Sequence, residues 1–344
     1  MATIGNSFLN LIDMYRGMGP DGKIDADVIE VLHRLSPAVQ DAIATEANKG
    51  STHLHTIRSG LPSVTWGRLY KGIPQSKSGK TQVEDTTGFV EGRSEIDERL
   101  LDLAAENAAA LRLSEADSFL EAMTQEVETG IFYHDSASTP EKFKGLAARY
   151  NVRGGSGAGN NVVHGGGSGS DNTSIWMVTW GEQQTTLLYP KGTRAGLQRI
   201  DRGSQQVLDA SGLPYFAKVE EFRWHVGLAV RDWRYNVRIA NIDVSDLAAG
   251  TVDVYALLRQ AYYKNQRWRT GRDMKAPDAG KQGRSVIYMN SAVAEALDAQ
   301  NTDDDRVQLK YMELEGQEVL SYRNLPIRIT DALLNTEAAV PVAS

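Results

Sequence analysis

The stretch VEEFRWHVGLAVRDWRYNVRIANID, from Val219 to Asp243, alternates apolar and polar residues for longer than an ordinary strand allows. Phe222, Trp224, Val226, Leu228 and Val230 occupy every second position, the pattern of a strand with one buried face. At Asp232 the phase flips, and the apolar set becomes Trp233, Tyr235, Val237 and Ile239. Without an inserted residue or a bend, the second set would face solvent. Strands typically run to about five or six residues, so this ribbon reaches beyond one compact sheet. It suits a protein that tiles with copies of itself better than one that encloses a small substrate. Before it come a strand pair, SIWMVTWGEQQTTLLYP (Ser174–Pro190), and a basic turn, KGTRAGLQRIDRG (Lys191–Gly203).

A chain of 344 residues with 41% hydrophobic content can bury a proper core in one large domain or two to three smaller ones. It has no cysteine, which excludes disulfides, thiolate metal sites and a cysteine nucleophile. The opening MATIGNSFLNLIDMYRGMGP lacks the basic start and long apolar centre of a secretory signal. No segment approaches the eighteen or so apolar residues of a membrane span. The formal net charge is −7, whereas a protein that grips nucleic acid by neutralising phosphates carries a basic excess. The balance fits a surface that sits near DNA without holding it.

Spacing predicts two short helices over Asp25–Asn48. The first is carried by Val28, Ile29, Leu32 and Leu35; the second opens at Ser36-Pro37, continues through Val39, Ile43 and Ala47, and closes at Gly50. From Thr52 to Val90 the chain is rich in Gly, Ser, Thr and Lys, with strand-like pieces at Val64–Tyr70 and Thr86–Val90 and a polar tip at Gly72–Gly79. This is a long two-stranded arm, too poor in apolar residues for a core of its own. Ser94–Thr129 is helical in composition, with Ser114 and Asp117 as a capping box and Phe119, Leu120, Met123 and Val127 as a stripe. Within it, Glu95–Leu103 fits either a helix or an extension of the arm's return strand. Gly154–Gly169 reads as a flexible glycine loop. Further on, Val252–Trp268 is an amphipathic helix, Ser285–Met289 a buried strand, and Ser291–Ala299 a helix capped by Ser291. A turn at Asp303–Asp305 leads to strands at Val307–Leu314 and Leu325–Thr330, and the tail past Thr336 is loose. No internal repeat is visible.

Several motifs mimic chemistry without supporting it. SKSGKT (Ser76–Thr81) imitates a phosphate-binding loop, yet its required first glycine is Pro74, which has no N–H, and no strand-to-helix context surrounds it. Gly155, Gly157 and Gly159 give G-x-G-x-G without the flanking strand and helix of a dinucleotide fold. His53 and His55 share a strand face but have no third ligand fixed by spacing, so a surface or interface role is expected; His225 is structural. Asp303–Asp305 lacks the remainder of a calcium loop. No Gly-x-Ser-x-Gly elbow occurs. Arg223, Arg231, Arg234 and Arg238 lie among Trp224, Trp233 and Tyr235, a mixture enriched at protein interfaces. Such mixtures also bind nucleic acid, but Glu220, Glu221 and the acidic whole chain argue against that use.

The segments FYHDSASTPEKFKGLAARYN (Phe132–Asn151), SIWMVTWGEQQTTLLYPKGTRAGLQRIDRG (Ser174–Gly203) and EEFRWHVGLAVRDWRYNVRIANID (Glu220–Asp243) resemble the major capsid proteins of tailed double-stranded DNA bacteriophages, particularly short-tailed ones. The order of elements agrees across nearly the whole chain. The resemblance implies an α+β fold of the Hong Kong 97 type. Its parts would be an N-terminal arm (1–51), an extended hairpin loop (52–92), a peripheral domain with a long spine helix (93–150), an axial domain (151–306), and a return to the peripheral domain with the C-terminal tail (307–344). It implies copies assembling through pentamers and hexamers into an icosahedral shell that encloses double-stranded DNA without binding it specifically. Scaffold, portal and decoration proteins would be further candidate partners. The expected setting is the virion, assembled in the cytoplasm of the bacterial host, with no catalytic residue, cofactor, metal or membrane. Trp66, Arg68, Lys71, Lys77 and Lys80 on the hairpin are the candidate inter-subunit contacts. Some relatives cross-link a hairpin lysine to a neighbouring asparagine, but no motif here marks a partner or catalytic carboxylate, so no cross-link is expected. The competing readings are another virion component, such as a tail or connector protein, and a nucleotide enzyme using Ser76–Thr81.

Overall fold

The computed structural model describes residues 36–209, 211–267, 283–303, 309–314 and 317–343. The expected helix at Val28–Leu35 and residues 304–305 of the expected turn lie outside them. In chain order the elements are α1 (Pro37–Asp41), β1 (Ala44–Glu46), β2 (Thr52–Gly60), β3 (Gly79–Asp97), α2 (Glu98–Ala104), α3 (Ala108–Tyr133) and α4 (Leu146–Arg149). Then come β4 (Val162–His164), β5 (Asn172–Trp180), β6 (Thr185–Tyr189), β7 (Leu197–Leu208), β8 (Pro214–Val230) and β9 (Val237–Asp243). The last are α5 (Val244–Ala248), α6 (Val254–Lys264), β10 (Arg284–Met289), α7 (Ser291–Asp303), β11 (Leu309–Leu314), β12 (Gln317–Tyr322) and β13 (Leu325–Ile329). The described chain forms two compact units: a smaller one of Phe89–Glu128 and Arg194–His225, and a larger one of 36–88, Thr129–Thr193 and 226–343.

In the larger unit β5 is the organising strand. It pairs antiparallel with β10 (Trp180↔Arg284 to Trp176↔Tyr288) and with β9 (Asn172↔Asp243 to Met177↔Val237). All nine of its residues are buried, which explains why SIWMVTW reads as a continuous apolar run rather than an alternating one. Ile175 and Met177 join a core with Val237 and Ile239 of β9, Leu257, Leu258 and Ala261 of α6, and Val293 and Leu297 of α7. The opposite face is aromatic: Trp176 meets Phe132 and Tyr150, and Trp180 Nε1 donates to the Tyr288 hydroxyl at 2.8 Å. The sheet continues from β10 to β13 and β12, and from β5 through β6 to the end of β8, then β3 and β2.

The long ribbon proves to be two strands. β8 starts earlier than expected, at Pro214, and runs to Val230. Asp232 then accepts a hydrogen bond from the Arg234 backbone N–H at 3.0 Å and starts a single tight turn, Trp233–Tyr235. The phase flip is this corner: the end of β8 pairs with β6 (Thr185↔Val230), whereas β9 pairs with β5. The expected basic turn is also corrected, because Leu197–Leu208 is strand β7, hairpinned onto β8 from Leu197↔Trp224 to Leu208↔Pro214. Its half-exposed pattern hides the strand period, and its charges are paired rather than free: Arg199 with Glu220, Arg202 with Glu221.

Other expectations change for similar reasons. The second predicted helix stops at Asp41, because β1 pairs in parallel with β6 (Ala44↔Leu187). The return strand β3 extends to Asp97, whose side chain then caps α2 by accepting from the Arg99 N–H at 2.9 Å. Ser114 lies inside α3 rather than capping it, and Asn290, not Ser291, caps α7 through Val293 N–H at 2.9 Å. The α6 helix ends at Lys264, Trp268 lies outside the described residues, and β12 was not anticipated. The glycine loop is built into the unit: Asn161 is buried and its amide donates to the Arg234 and Asn236 carbonyls at 3.0 and 2.8 Å, and β4 pairs with β9. The tail is tied down as well. Glu337 is buried, its N–H donates to the Asn172 carbonyl at 2.8 Å, and its carboxylate accepts from Arg238 at 2.8 Å and from Ser174 and Tyr133.

In the smaller unit α3 lays Ala116, Phe119, Leu120 and Met123 against the sheet, with Phe119 stacked on Phe222 at 5.2 Å. Gly92 of β3 makes room for that ring: a Cβ there would lie 2.8 Å from Phe119 Cδ1. Glu220 is buried between Arg112, at 2.7 Å from Nε, and Arg199, at 2.6 Å. Burial alone would raise its pKa, but the bonds from both arginines outweigh burial and hold it below the ordinary value.

A candidate assembly surface on the β2–β3 hairpin

β2 and β3 form an antiparallel hairpin in register from Thr52↔Thr86 to Arg58↔Lys80, with an irregularity before Gly60↔Gly79. Its root is clamped from several sides. The Asn48 side chain brackets Leu54, donating to its carbonyl at 2.7 Å and accepting from its N–H at 2.8 Å. Ser51 O accepts from both the N–H and the hydroxyl of Thr87, at 3.0 and 2.7 Å. Two glycines permit close approach: a Cβ on Gly88 would lie 2.7 Å from Glu141 O, and one on Gly227 would lie 2.8 Å from Thr86 O. On the solvent face Glu84 accepts from Thr52 and Lys49, which lowers its pKa. On the other face His53, His55 and Asp85 are enclosed, with Arg149 2.7 Å from Asp85 Oδ1 and Arg231 2.9 Å from His53 Nε2. The histidines are therefore structural groups at the root, not the surface or interface residues that alternation suggested.

The hairpin changes character beyond Gly60. Val64–Tyr70, expected as a strand, is not one; the only regular feature between Leu61 and Ser78 is a turn in which Lys71 N–H donates to Arg68 O at 3.2 Å. Within it Tyr70 takes a left-handed backbone, φ 62°, which strains a bulky residue. Leu61, Val64, Trp66, Leu69, Tyr70 and Ile73 are each at least 78% exposed. Burying a large apolar side chain stabilises by about 1.5–3 kcal/mol, so six left in water forgo on the order of 10 kcal/mol before any ordering cost. Scattered exposed apolar residues are ordinary, but a contiguous set marks a contact surface. The loop is also basic, because no Asp or Glu occurs between Ile57 and Val83, whereas Arg58, Arg68, Lys71, Lys77 and Lys80 do.

Trp66, Arg68, Lys71 and Lys77 thus lie together on one exposed loop, and Lys80 sits at the start of β3. Sequence reasoning missed Leu61, Val64, Leu69, Tyr70 and Ile73. Their signal was a cluster of six large apolar residues within Leu61–Ile73, four of which (Trp66, Leu69, Tyr70 and Ile73) keep a helical spacing that Gly67 and Gly72 interrupt. Of the ribbon arginines expected at an interface, Arg238 is instead buried over Trp176 and on Glu337, while Arg234 bonds Asp232 and Arg223 bonds Glu91 within the chain. The phosphate-loop mimic is divided between an exposed loop and the edge of β3, with no helix behind it. Among the described residues no cluster of His, Asp or Glu is arranged to hold a metal, and no helix is long and apolar enough to cross a membrane. A cleft of about 180 Å³ lined by Glu91, Gly92, Arg93 and Glu221–Arg223 is smaller than the ~300–1,000 Å³ of typical ligand sites.

The mixed fold with its long hairpin and long helix has known relatives. The family model for major capsid protein GP7 matches residues 19–341. A chain in the solved structure of bacteriophage Epsilon15 superposes with a TM-score of 0.76 at 31% identity, covering 99% of each chain. The fold is thus the α+β Hong Kong 97-type capsid fold, and the chain belongs to the GP7 family of major capsid proteins. A more distant likeness is to the capsid of a native GTA particle, with a TM-score of 0.43 at 12% identity, covering 62% of this chain and 92% of that one. Curated protein sequences contain no match.

Proposed function

We propose that copies of this chain join as pentamers and hexamers into a closed icosahedral shell around double-stranded DNA, with each hairpin lying across a neighbouring copy. The observation that carries this reading is the loop of six exposed apolar residues with Arg68 and Lys71 among them, followed by Lys77 and, at the start of β3, Lys80. Trp66 and those cations make the contact with the neighbour, and the net charge of −7 supplies surfaces of opposite sign to receive them. Many modest contacts of this kind reinforce each other once the lattice closes. The same acidic balance keeps the wall from retaining the DNA. The division into arm (1–51), hairpin (52–92), peripheral (93–150 and 307–344) and axial (151–306) parts belongs to this reading, as do scaffold, portal and decoration proteins as partners and assembly in the host cytoplasm.

The test is deletion of Gly72–Gly79 in the full chain, followed by sedimentation and electron microscopy. The subunit should fold, with unchanged melting, while hollow particles fail to form or burst more readily. Normal particles of normal strength would remove the hairpin from assembly. Rings or tubes from the unaltered chain would favour a tail or connector role.

A further inference from the structure

The root of the hairpin encloses more charge than it balances. His53 and His55 of β2 share one face with Asp85 of β3, and His53 and Asp85 are register partners. His53 and Asp85 are each only 4% exposed. Arg149, at the end of α4, holds Asp85 Oδ1 at 2.7 Å, and Arg231, just after β8, reaches His53 Nε2 at 2.9 Å. One carboxylate thus faces two guanidiniums and two imidazoles.

The hydrogen bond fixes the protonation state. A guanidinium only donates, so His53 must accept at Nε2 and carry its hydrogen on Nδ1. A proton taken up at Nε2 would replace that bond with two cations at hydrogen-bond distance. Asp85 offers little relief: its Oδ1 is occupied, and its Oδ2 lies 3.7 Å from His55 Nδ1, beyond hydrogen-bond reach. The remaining polar contact of His55 is with the Val230 backbone. Glu84 is the neighbouring carboxylate in sequence, but it points to the other face, on Lys49 and Thr52.

We propose that the hairpin root is an acid-opened latch, in which protonation of His53 removes the Arg231 hydrogen bond and releases β2 from the end of β8 while the rest of the larger unit stays folded. Burial first, then Arg231 and His55, hold the His53 pKa below its ordinary 6.5, with Asp85 opposing. Burial lowers His55 too, with Asp85 opposing and Arg231 and Arg149 adding to the fall. Both imidazoles are therefore neutral in the closed root. The root is fully anchored above pH 6.5 and loses stability as pH falls below that value, because the open form binds protons more readily. The latch would set how freely the exposed loop swings, whatever surface it meets.

Amide hydrogen exchange on the full-length chain tests this between pH 7.5 and 5.0. After correction for intrinsic rates, peptides covering Thr52–Ile57 should exchange about tenfold faster per pH unit for each linked imidazole once below the transition. Peptides from β5 should not change. His53→Gln keeps an acceptor for Arg231 but cannot titrate, and should take one linked proton out of the slope, leaving at most the part due to His55. Should that variant not fold, ring C–H exchange at His53 in the unaltered chain reads its pKa directly. An unchanged root in acid, a slope that His53→Gln leaves unaltered, or a His53 pKa at or above 6.5 would each overturn the latch.

Discussion

Strand β5 and the loop Leu61–Ile73 are built from the same kinds of residue and end in opposite environments. β5 carries Ile175, Trp176, Met177, Val178 and Trp180, all buried, with β9 and β10 along its edges and packing on both faces. The loop carries Leu61, Val64, Trp66, Leu69, Tyr70 and Ile73, all in water. Hydrophobicity alone does not place a residue in its own chain's core. Continuity matters too: β5 is an unbroken run that a sheet can cover from two sides, whereas Pro62, Gly67, Gly72 and Pro74 interrupt the loop, although Trp66, Leu69, Tyr70 and Ile73 keep a helical spacing. A segment of that kind keeps its apolar surface for a partner.

The sharpest way to break the comparison is to damage the buried side. Glu337→Ala should leave Arg238 as an unpaired buried charge beneath Trp176 and remove the acceptor of Ser174 and Tyr133, while the backbone bond to Asn172 remains. Removing one partner of a buried pair costs about 3–5 kcal/mol, read as a lowered denaturant midpoint. A loss under ~1 kcal/mol, the scale of an exposed pair, would mean that the tail contributes nothing to the core. A smaller effect is expected in the other unit. Gly92→Ala places a methyl against Phe119 and should destabilise by about 1–3 kcal/mol through overpacking. The same change at Gly72, which has no neighbour within 4 Å, should be close to neutral.

Acid provides a graded probe of the buried ion pairs. The folded-state pKa of Glu220 is depressed by Arg199 and Arg112 against the opposing effect of burial. Its contribution is therefore complete above the ordinary glutamate value of 4.5 and declines as pH falls through the lower folded value. Melting of the smaller unit followed from pH 6 to pH 3 should show this decline, and Glu220→Gln should flatten it. A decline of equal size in that variant would assign the acid sensitivity to other carboxylates. The window lies below that of the His53 root, so the two effects separate on one pH axis.

How much of this was legible follows the range of the interactions. β5, β10, β13, α6 and the alternation of β8 were readable, because period and burial are local properties. The resemblance in three segments supplied the fold, and Trp66, Arg68, Lys71 and Lys77 fall on the exposed loop. What escaped depended on partners far along the chain. The tail reads as loose because Arg238 and Ser174, which hold Glu337, lie 99 and 163 residues away. The root reads as two stray histidines because Arg231 is 178 residues from His53. β7 escaped because its charges resemble a turn until Glu220 and Glu221 stand opposite them.

The smallest effect on the isolated subunit gives the sharpest contrast. Trp66→Ser removes a larger side chain than most core substitutions would, yet Trp66 is 98% exposed and supports nothing in its own chain. Its change in subunit stability should stay within about 0.5 kcal/mol, the range of surface substitutions. Trp176→Ala, an equally drastic loss inside the core, should cost about 3–5 kcal/mol. Assembly should reverse the order of concern. A Trp buried at a contact is commonly worth 2 kcal/mol or more, and a closed lattice repeats that loss at every copy, so Trp66→Ser subunits should stay small under conditions where the unaltered chain forms particles. Sedimentation beside a melting curve measures both quantities on one sample. A Trp66→Ser chain that melts early would show that the loop folds onto its own subunit. One that assembles normally would show that some other part of the loop provides the contact.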